Sequence, residues 1–137
     1  MSETVHEIKM LHVLIVDDDQ DLLDALKSLL ESKDFMVSTA TNGVEALKII
    51  MNMDVDVILC DLMMPNMAGD MFYAAVDRVK PKLCKRFIFI TGYEGHPRFN
   101  AFLDKTKSVV LYKPITLGKL TGTIRIMLDR VAAERYK

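Results

Sequence analysis

Five residues of this chain have the types and spacing to do chemistry together: Asp17, Asp18, Asp61, Thr91 and Lys113. Each stands at the end of a short apolar run. Asp17 and Asp18 follow LHVLIV (11–16), Asp61 follows VDVILC (55–60), Thr91 closes RFIFIT (86–91) and Lys113 follows SVVLY (108–112). Carboxylates held close raise one another's pKa unless a cation lies among them. A hard dication with oxygen ligands suits such a group, and Mg2+ prefers one or two carboxylates completed by water and a phosphate. Lys113 adds a compact, mobile charge suited to a phosphoryl oxygen. Thr91 adds a hydroxyl, and the backbone amides just beyond Asp61 and Thr91 add further donors. A carboxylate nucleophile, a metal, an ammonium and a hydroxyl are the parts that phosphoryl transfer uses. The residues therefore point to Mg2+-assisted phosphoryl chemistry on an aspartate.

That chemistry requires the ends of four segments to meet. The four runs are nearly continuous in Val, Ile, Leu and Phe, as strands buried on both faces are. A fifth, FMVSTA (35–40), alternates more and is expected toward a sheet edge. Helical periodicity fills the gaps. Residues 21–33 place Leu22, Leu26, Leu29 and Leu30 on one stripe, and 42–51 place Val44, Leu47 and Ile50. Residues 69–79 carry Phe72, Ala75, Val76 and Val79, and 97–105 carry Phe99, Phe102 and Leu103 behind Pro97, which a first helical turn accepts. The last stretch, about 116–134, carries Leu117, Leu120, Ile124, Met127 and Val131, with Ile126 off the stripe as a docking or dimer mark. Five alternations of strand and helix predict an α/β fold, a parallel sheet covered on both faces in a three-layer sandwich with right-handed crossovers. In such sheets ligands bind outside the carboxyl ends of the strands, where the five residues stand.

The 137 residues suffice for one domain, expected over 11–134 between tails at 1–10 and 135–137. With 18 Lys+Arg against 19 Asp+Glu, the net charge of -1 supplies no general attraction for nucleic acid or an anionic membrane. Cys60 and Cys84 are too few for a disulfide framework and lack metal-ligand spacing. No apolar run is long enough for a membrane helix and no signal peptide is evident, so a soluble, cytoplasmic chain is expected. Asp19 is expected to cap the first helix. His6, His12 and His96 lack a second ligand nearby and are read as incidental. Cys60 is read as strand packing and Cys84 as a loop thiol. Met63, Met64, Met67 and Met71 are read as loop and helix packing, with Met67 and Met71 as candidates for an adaptable partner surface.

Four motifs occur in order: LIVDDD (14–19), CDLMMPNMAG (60–69), ITG (90–92) and LYKP (111–114). The gaps are 44 residues from Asp17 to Asp61, 30 to Thr91 and 22 to Lys113. On these motifs the chain resembles the receiver domains of two-component response regulators across about residues 11–134. The resemblance implies the chemotaxis-type, flavodoxin-like fold with strand order 2-1-3-4-5 and five helices. It implies that Asp61 is the phosphoacceptor, taking its phosphoryl group from a histidine kinase or histidine phosphotransfer protein. It implies Mg2+ bound by Asp18 directly, by Asp17 mainly through water, and by Asp61 with the Met63 carbonyl. Lys113 and Thr91 would contact the phosphoryl group, helped by the amides of Met63 and Gly92, and Lys113–Pro114 would be cis. The implied function is a signalling switch rather than an enzyme. It would act on a downstream protein through the face of the fourth helix, fifth strand and fifth helix, or through a phosphorylation-dependent homodimer, with no nucleic acid bound by this chain alone.

Two departures matter. The position three before Lys113 is Val110, where the family often has an aromatic residue, and Tyr112 lies one step further along the same strand face. The resemblance is accordingly to receivers attached to hybrid histidine kinases or standing alone. Met63 and Tyr93, two residues beyond Asp61 and Thr91, are bulky and lack a group to orient water, which predicts slow self-hydrolysis. Two other classes are weighed: a pseudo-receiver that binds proteins without phosphorylation, and a haloacid-dehalogenase-like phosphatase. The latter requires a second aspartate where this chain has Met63.

Overall fold

The structure is a computed structural model that describes residues 10–135. Apart from Met10 and Arg135, the expected tails lie outside the described residues, as does His6. In chain order the elements are β1 (His12–Val16), α1 (Gln20–Glu31), β2 (Met36–Ala40), α2 (Gly43–Asn52), β3 (Val57–Asp61) and α3 (Gly69–Val79). A 3₁₀ turn (Pro81–Arg86) leads to β4 (Phe87–Thr91), followed by α4 (Pro97–Thr106), β5 (Val109–Tyr112) and α5 (Leu117–Arg135). All strand pairs are parallel in the order β2-β1-β3-β4-β5. Fold class and topology are as expected.

Every residue of β1, β3 and β4 is buried, as their unbroken apolar runs demand. Because side chains alternate across a strand, each strand feeds two cores. One face collects Leu14, Val16, Ile58, Cys60, Phe87 and Phe89 under Ala46, Ile50, Phe72, Val76 and Phe99. The other collects Val13, Ile15, Val57, Leu59, Ile88 and Ile90 under Leu23, Leu30, Leu120, Ile124 and Met127. Full burial of each large apolar side chain contributes about 1.5–3 kcal/mol. Four rings, Tyr73, Phe87, Phe89 and Phe102, pack with centroids 5.1–6.2 Å apart.

Local chemistry sets the helix starts. The Asp19 side chain accepts the Leu22 amide at 3.2 Å, the expected cap. Asn42 accepts the Glu45 amide at 2.9 Å while the Glu45 carboxylate accepts the Thr41 amide at 3.0 Å, a reciprocal arrangement close to a capping box.

Several local expectations need correction. β5, an edge strand as the order 2-1-3-4-5 implies, is only half-buried, where its apolar run predicts burial on both faces. In α1 the buried pair is Leu23 and Leu30, while Leu22, Leu26 and Leu29 are half-buried. Val44, Val79 and Leu117 are exposed, since a helix docked on a sheet buries a stripe narrower than its apolar periodicity. His12 is a structural tie. Its ring nitrogens lie 2.8 Å from the Asp54 carbonyl and 2.7 Å from Ser38 Oγ, and its amide donates to Asp56 at 2.8 Å.

Candidate functional site

The site is built where β1 and β3 end side by side. Just past β1, the Asp17 amide donates to the Ala40 carbonyl at 3.1 Å, which extends the ladder by one residue and leaves the side chain buried. Asp17 Oδ1 then accepts the Asp19 amide at 2.9 Å, and Asp18 stands exposed between them. Asp61 is the last residue of β3 and is also buried; its Oδ1 accepts the Met63 amide at 3.0 Å. One carboxylate oxygen from each of Asp17, Asp18 and Asp61 lies within 4.8 Å of the others.

β4 and β5 complete the cleft. Thr91 ends β4, buried, with Oγ1 accepting the Tyr93 amide at 3.2 Å. Its carbonyl accepts the Lys113 amide at 2.8 Å, which places the lysine at the rim. Lys113 Nζ lies 3.5 Å from Asp17 Oδ2 and 3.9 Å from Asp61 Oδ2, and the Lys113–Pro114 peptide is cis. Gly92 is exposed beside this lysine, and a Cβ there would sit 3.9 Å from Lys113 Cδ.

Electrostatics explain why the cleft invites a cation. Burial pushes the Asp61 carboxyl from 3.8 up to about 6, and the neighbouring Asp17 and Asp18 push the same way. The Met63 amide and the Lys113 charge oppose the rise without cancelling it. Asp17 is raised as well, first by burial, against the Asp19 amide and Lys113. Three carboxylates share one ammonium, so negative charge is under-compensated. Oxygen-only donors at this separation fit a hard dication such as Mg2+ better than a thiolate- or imidazole-seeking metal.

The remaining sequence-predicted residues fall as follows. Met63 contributes its amide, and the residue is 48% exposed. Val110 is half-buried against the core that holds Phe89, while Tyr112, in register with Thr91, is exposed. Gly69 closes the CDLMMPNMAG motif, and its role becomes visible in the fold. A Cβ there would lie 2.7 Å from the Asp61 carbonyl oxygen and 2.9 Å from Leu62 Cα, so only glycine lets α3 start against the Asp61–Leu62 backbone. A glycine closing the loop after a strand-end aspartate was the available signal. The two-pronged contact of Arg98 with Asp70, 28 residues apart, had none.

Comparison with known proteins agrees with this geometry. The sequence profile of the response regulator receiver domain family matches residues 13–125. The chain belongs to that family. It is similar to response regulator SaeR of Staphylococcus aureus, 40% identical over 84 residues, a match spanning 61% of this chain and 35% of that protein. The chain thus spans about a third of the length of the curated relatives it matches. Among solved structures it resembles a CheY-like receiver domain protein from Methanospirillum hungatei, with TM-score 0.84 and 28% identity over 92% of this chain and 99% of that one. In fold it also resembles TrrA of Thermotoga maritima, solved with Mg2+–BeF, with TM-score 0.75 and 24% identity over 86% of this chain and 99% of that one. Among the described residues no helix is long and apolar enough to cross a membrane.

Proposed function

We propose that this chain is a phosphoacceptor switch in two-component signalling, in which Asp61 takes a phosphoryl group from a phosphohistidine of a kinase or phosphotransfer protein. The observation that carries this reading is the asymmetry of the Asp61 carboxylate. Oδ1 is held by the Met63 amide, while Oδ2 faces Lys113 across 3.9 Å in the cleft shared with Asp17 and Asp18. Oδ2 is then the free nucleophile. As its bond to phosphorus forms, the phosphorus–nitrogen bond breaks and the imidazole keeps the electron pair.

Asp17, Asp18, Asp61 and the Met63 carbonyl are the groups that would hold Mg2+, which when bound offsets the charge on the phosphoryl oxygens. Lys113 exchanges part of its attraction to Asp61 for the new oxygens. Thr91 Oγ1 sits at the neighbouring strand end, where its hydroxyl can turn to donate to one of them, and the Met63 and Gly92 amides lie on the same rim. The donor must cover this rim. The apolar groove beside it, about 400 Å³ and lined by Leu22, Leu26, Ile115 and Leu117 with Asp19 and Lys113 at its edge, suits the helix that presents the histidine. The downstream protein, or a second copy after phosphorylation, is assigned to the α4–β5–α5 face, where Ile126 is exposed.

Incubation with Mg2+ and acetyl phosphate tests the reading. The intact protein should gain the mass of one phosphoryl group and Asp61→Asn should gain none. An unmodified wild type would instead favour the protein-binding pseudo-receiver, and steady release of phosphate over many turnovers would favour a phosphatase.

A further inference from the structure

How phosphorylation at Asp61 reaches the surface is a separate matter, because β5 lacks the usual means. Its single aromatic side chain, Tyr112, is exposed, and Val110 is half-buried against the core. The segment after Thr91 is differently equipped. The Tyr93 amide is bound by Thr91 Oγ1 at 3.2 Å, and the Tyr93 ring meets the His96 ring edge-on at 5.4 Å. His96 lies 4.6 Å from the ring of Phe99, which is buried in α4. The next-door Arg98 places its guanidinium 5.2 Å from the Phe99 ring and donates Nε and Nη2 to the two Asp70 oxygens at 2.9 and 2.7 Å. Asp70 stands in the first turn of α3, which Gly69 presses against the Asp61–Leu62 backbone. A continuous set of contacts therefore runs from Thr91 through the loop to α4 and back to the acceptor segment.

We propose that the Asp70–Arg98 fork and the Tyr93–His96–Phe99 stack form a latch on the start of α4, and that phosphorylation is read out as its release. The inference rests on Asp61 being the phosphoacceptor. When the Thr91 hydroxyl turns to a phosphoryl oxygen, Oγ1 leaves the Tyr93 amide and the loop loses its first fastening. Gly95, at φ 87 with open space around it, is a pivot that bears no side chain. Nδ1 of His96 is buried with no hydrogen-bond partner, so the latched state carries an unmet polar group that any rearrangement exposing it relieves. The ring contacts and the charged fork hold the other way. A planar guanidinium on both carboxylate oxygens fixes orientation as well as distance, which a lysine does not reproduce.

A ligand that binds the released state better is bound more tightly by any variant that weakens the latch. Beryllofluoride with Mg2+, the pair with which TrrA was solved, is the probe, and calorimetry reads its Kd. Asp70→Asn and Arg98→Gln should each tighten binding about two- to fivefold, and the double variant no more than either alone. His96→Phe keeps the stack and removes the unmet nitrogen, so it should weaken binding. Amide exchange over residues 93–99 should be faster in the first two variants before any ligand is added. Should Asp70→Asn not fold, Arg98→Gln, whose side chain is 51% exposed, carries the test. Wild-type binding with unchanged Kd in Arg98→Gln and His96→Phe overturns the latch and leaves Asp61 as acceptor; no binding by the wild type overturns both.

Discussion

Asp61 is kept at the edge of ionisation by its surroundings. Its folded-state pKa of about 6 lies above the ordinary 3.8, so the folded chain binds this proton more tightly than the unfolded chain. Stability contributed by the protonated acid is therefore present below about pH 4 and lost as the pH rises through 6; Asp17 is raised in the same sense. We expect the metal-free protein to lose up to about 3 kcal/mol across that window, less whatever water at the cleft mouth screens. Asp61→Asn should melt several degrees higher at pH 7, and Mg2+ should close most of the gap by raising the wild type. Thermal melts at pH 4.5 and 7, with and without Mg2+, check this, and identical pH profiles for the two proteins would exclude it. In the proposed switch, Met63 and Tyr93 would set the lifetime of the phosphorylated form. Both side chains are exposed and neither carries a carboxylate or amide to align water. Met63→Asn with Tyr93→Glu should speed loss of the phosphoryl group severalfold, measured by mass against time; an unchanged rate sinks the water-access account.

Among the elements, the start of α3 packs directly against the Asp61 backbone. The β3–α3 loop passes through Asn66 at φ 71, a conformation asparagine tolerates, and returns so that the Gly69 amide donates to the Leu62 carbonyl at 2.9 Å. Gly69→Ala puts a methyl group 2.7 Å and 2.9 Å from two backbone atoms, so the backbone itself must shift. A loss of about 1–3 kcal/mol and slower phosphorylation from acetyl phosphate should follow, since Asp61 shifts with its own carbonyl. An unaltered melting temperature would show that the loop gives way easily. At this scale the sequence was legible in some elements and not in others. The continuous runs of β1, β3 and β4 announced double-sided burial, and the Asp19 cap followed from its place before an apolar stripe. The half-burial of β5 was hidden in its own residues, because VVLY reads like a central strand; only the order 2-1-3-4-5 implied by the resemblance marks it as an edge. Leu23 was missed in α1 because five leucines occupy adjacent faces, and only contact with the sheet selects among them.

Across the whole molecule, the order β2-β1-β3-β4-β5 makes β1 and β3 neighbours although a strand and two helices separate them in sequence. The chain crosses to one side for β2 and returns on the other for β3, and the crevice at that reversal is where Asp17, Asp18 and Asp61 meet. Residue types and their positions at strand ends were enough to single out Asp17, Asp18, Asp61, Thr91 and Lys113 as a group that meets at one rim, because each is local to a short apolar run. Which Asp61 oxygen the Met63 amide holds, why residue 69 must be glycine, how His12 ties β1 to β2, and that Arg98 reaches Asp70 were decided only by the fold. These depend on distances between side chains far apart in the chain, and periodicity along one element carries no record of what packs against it.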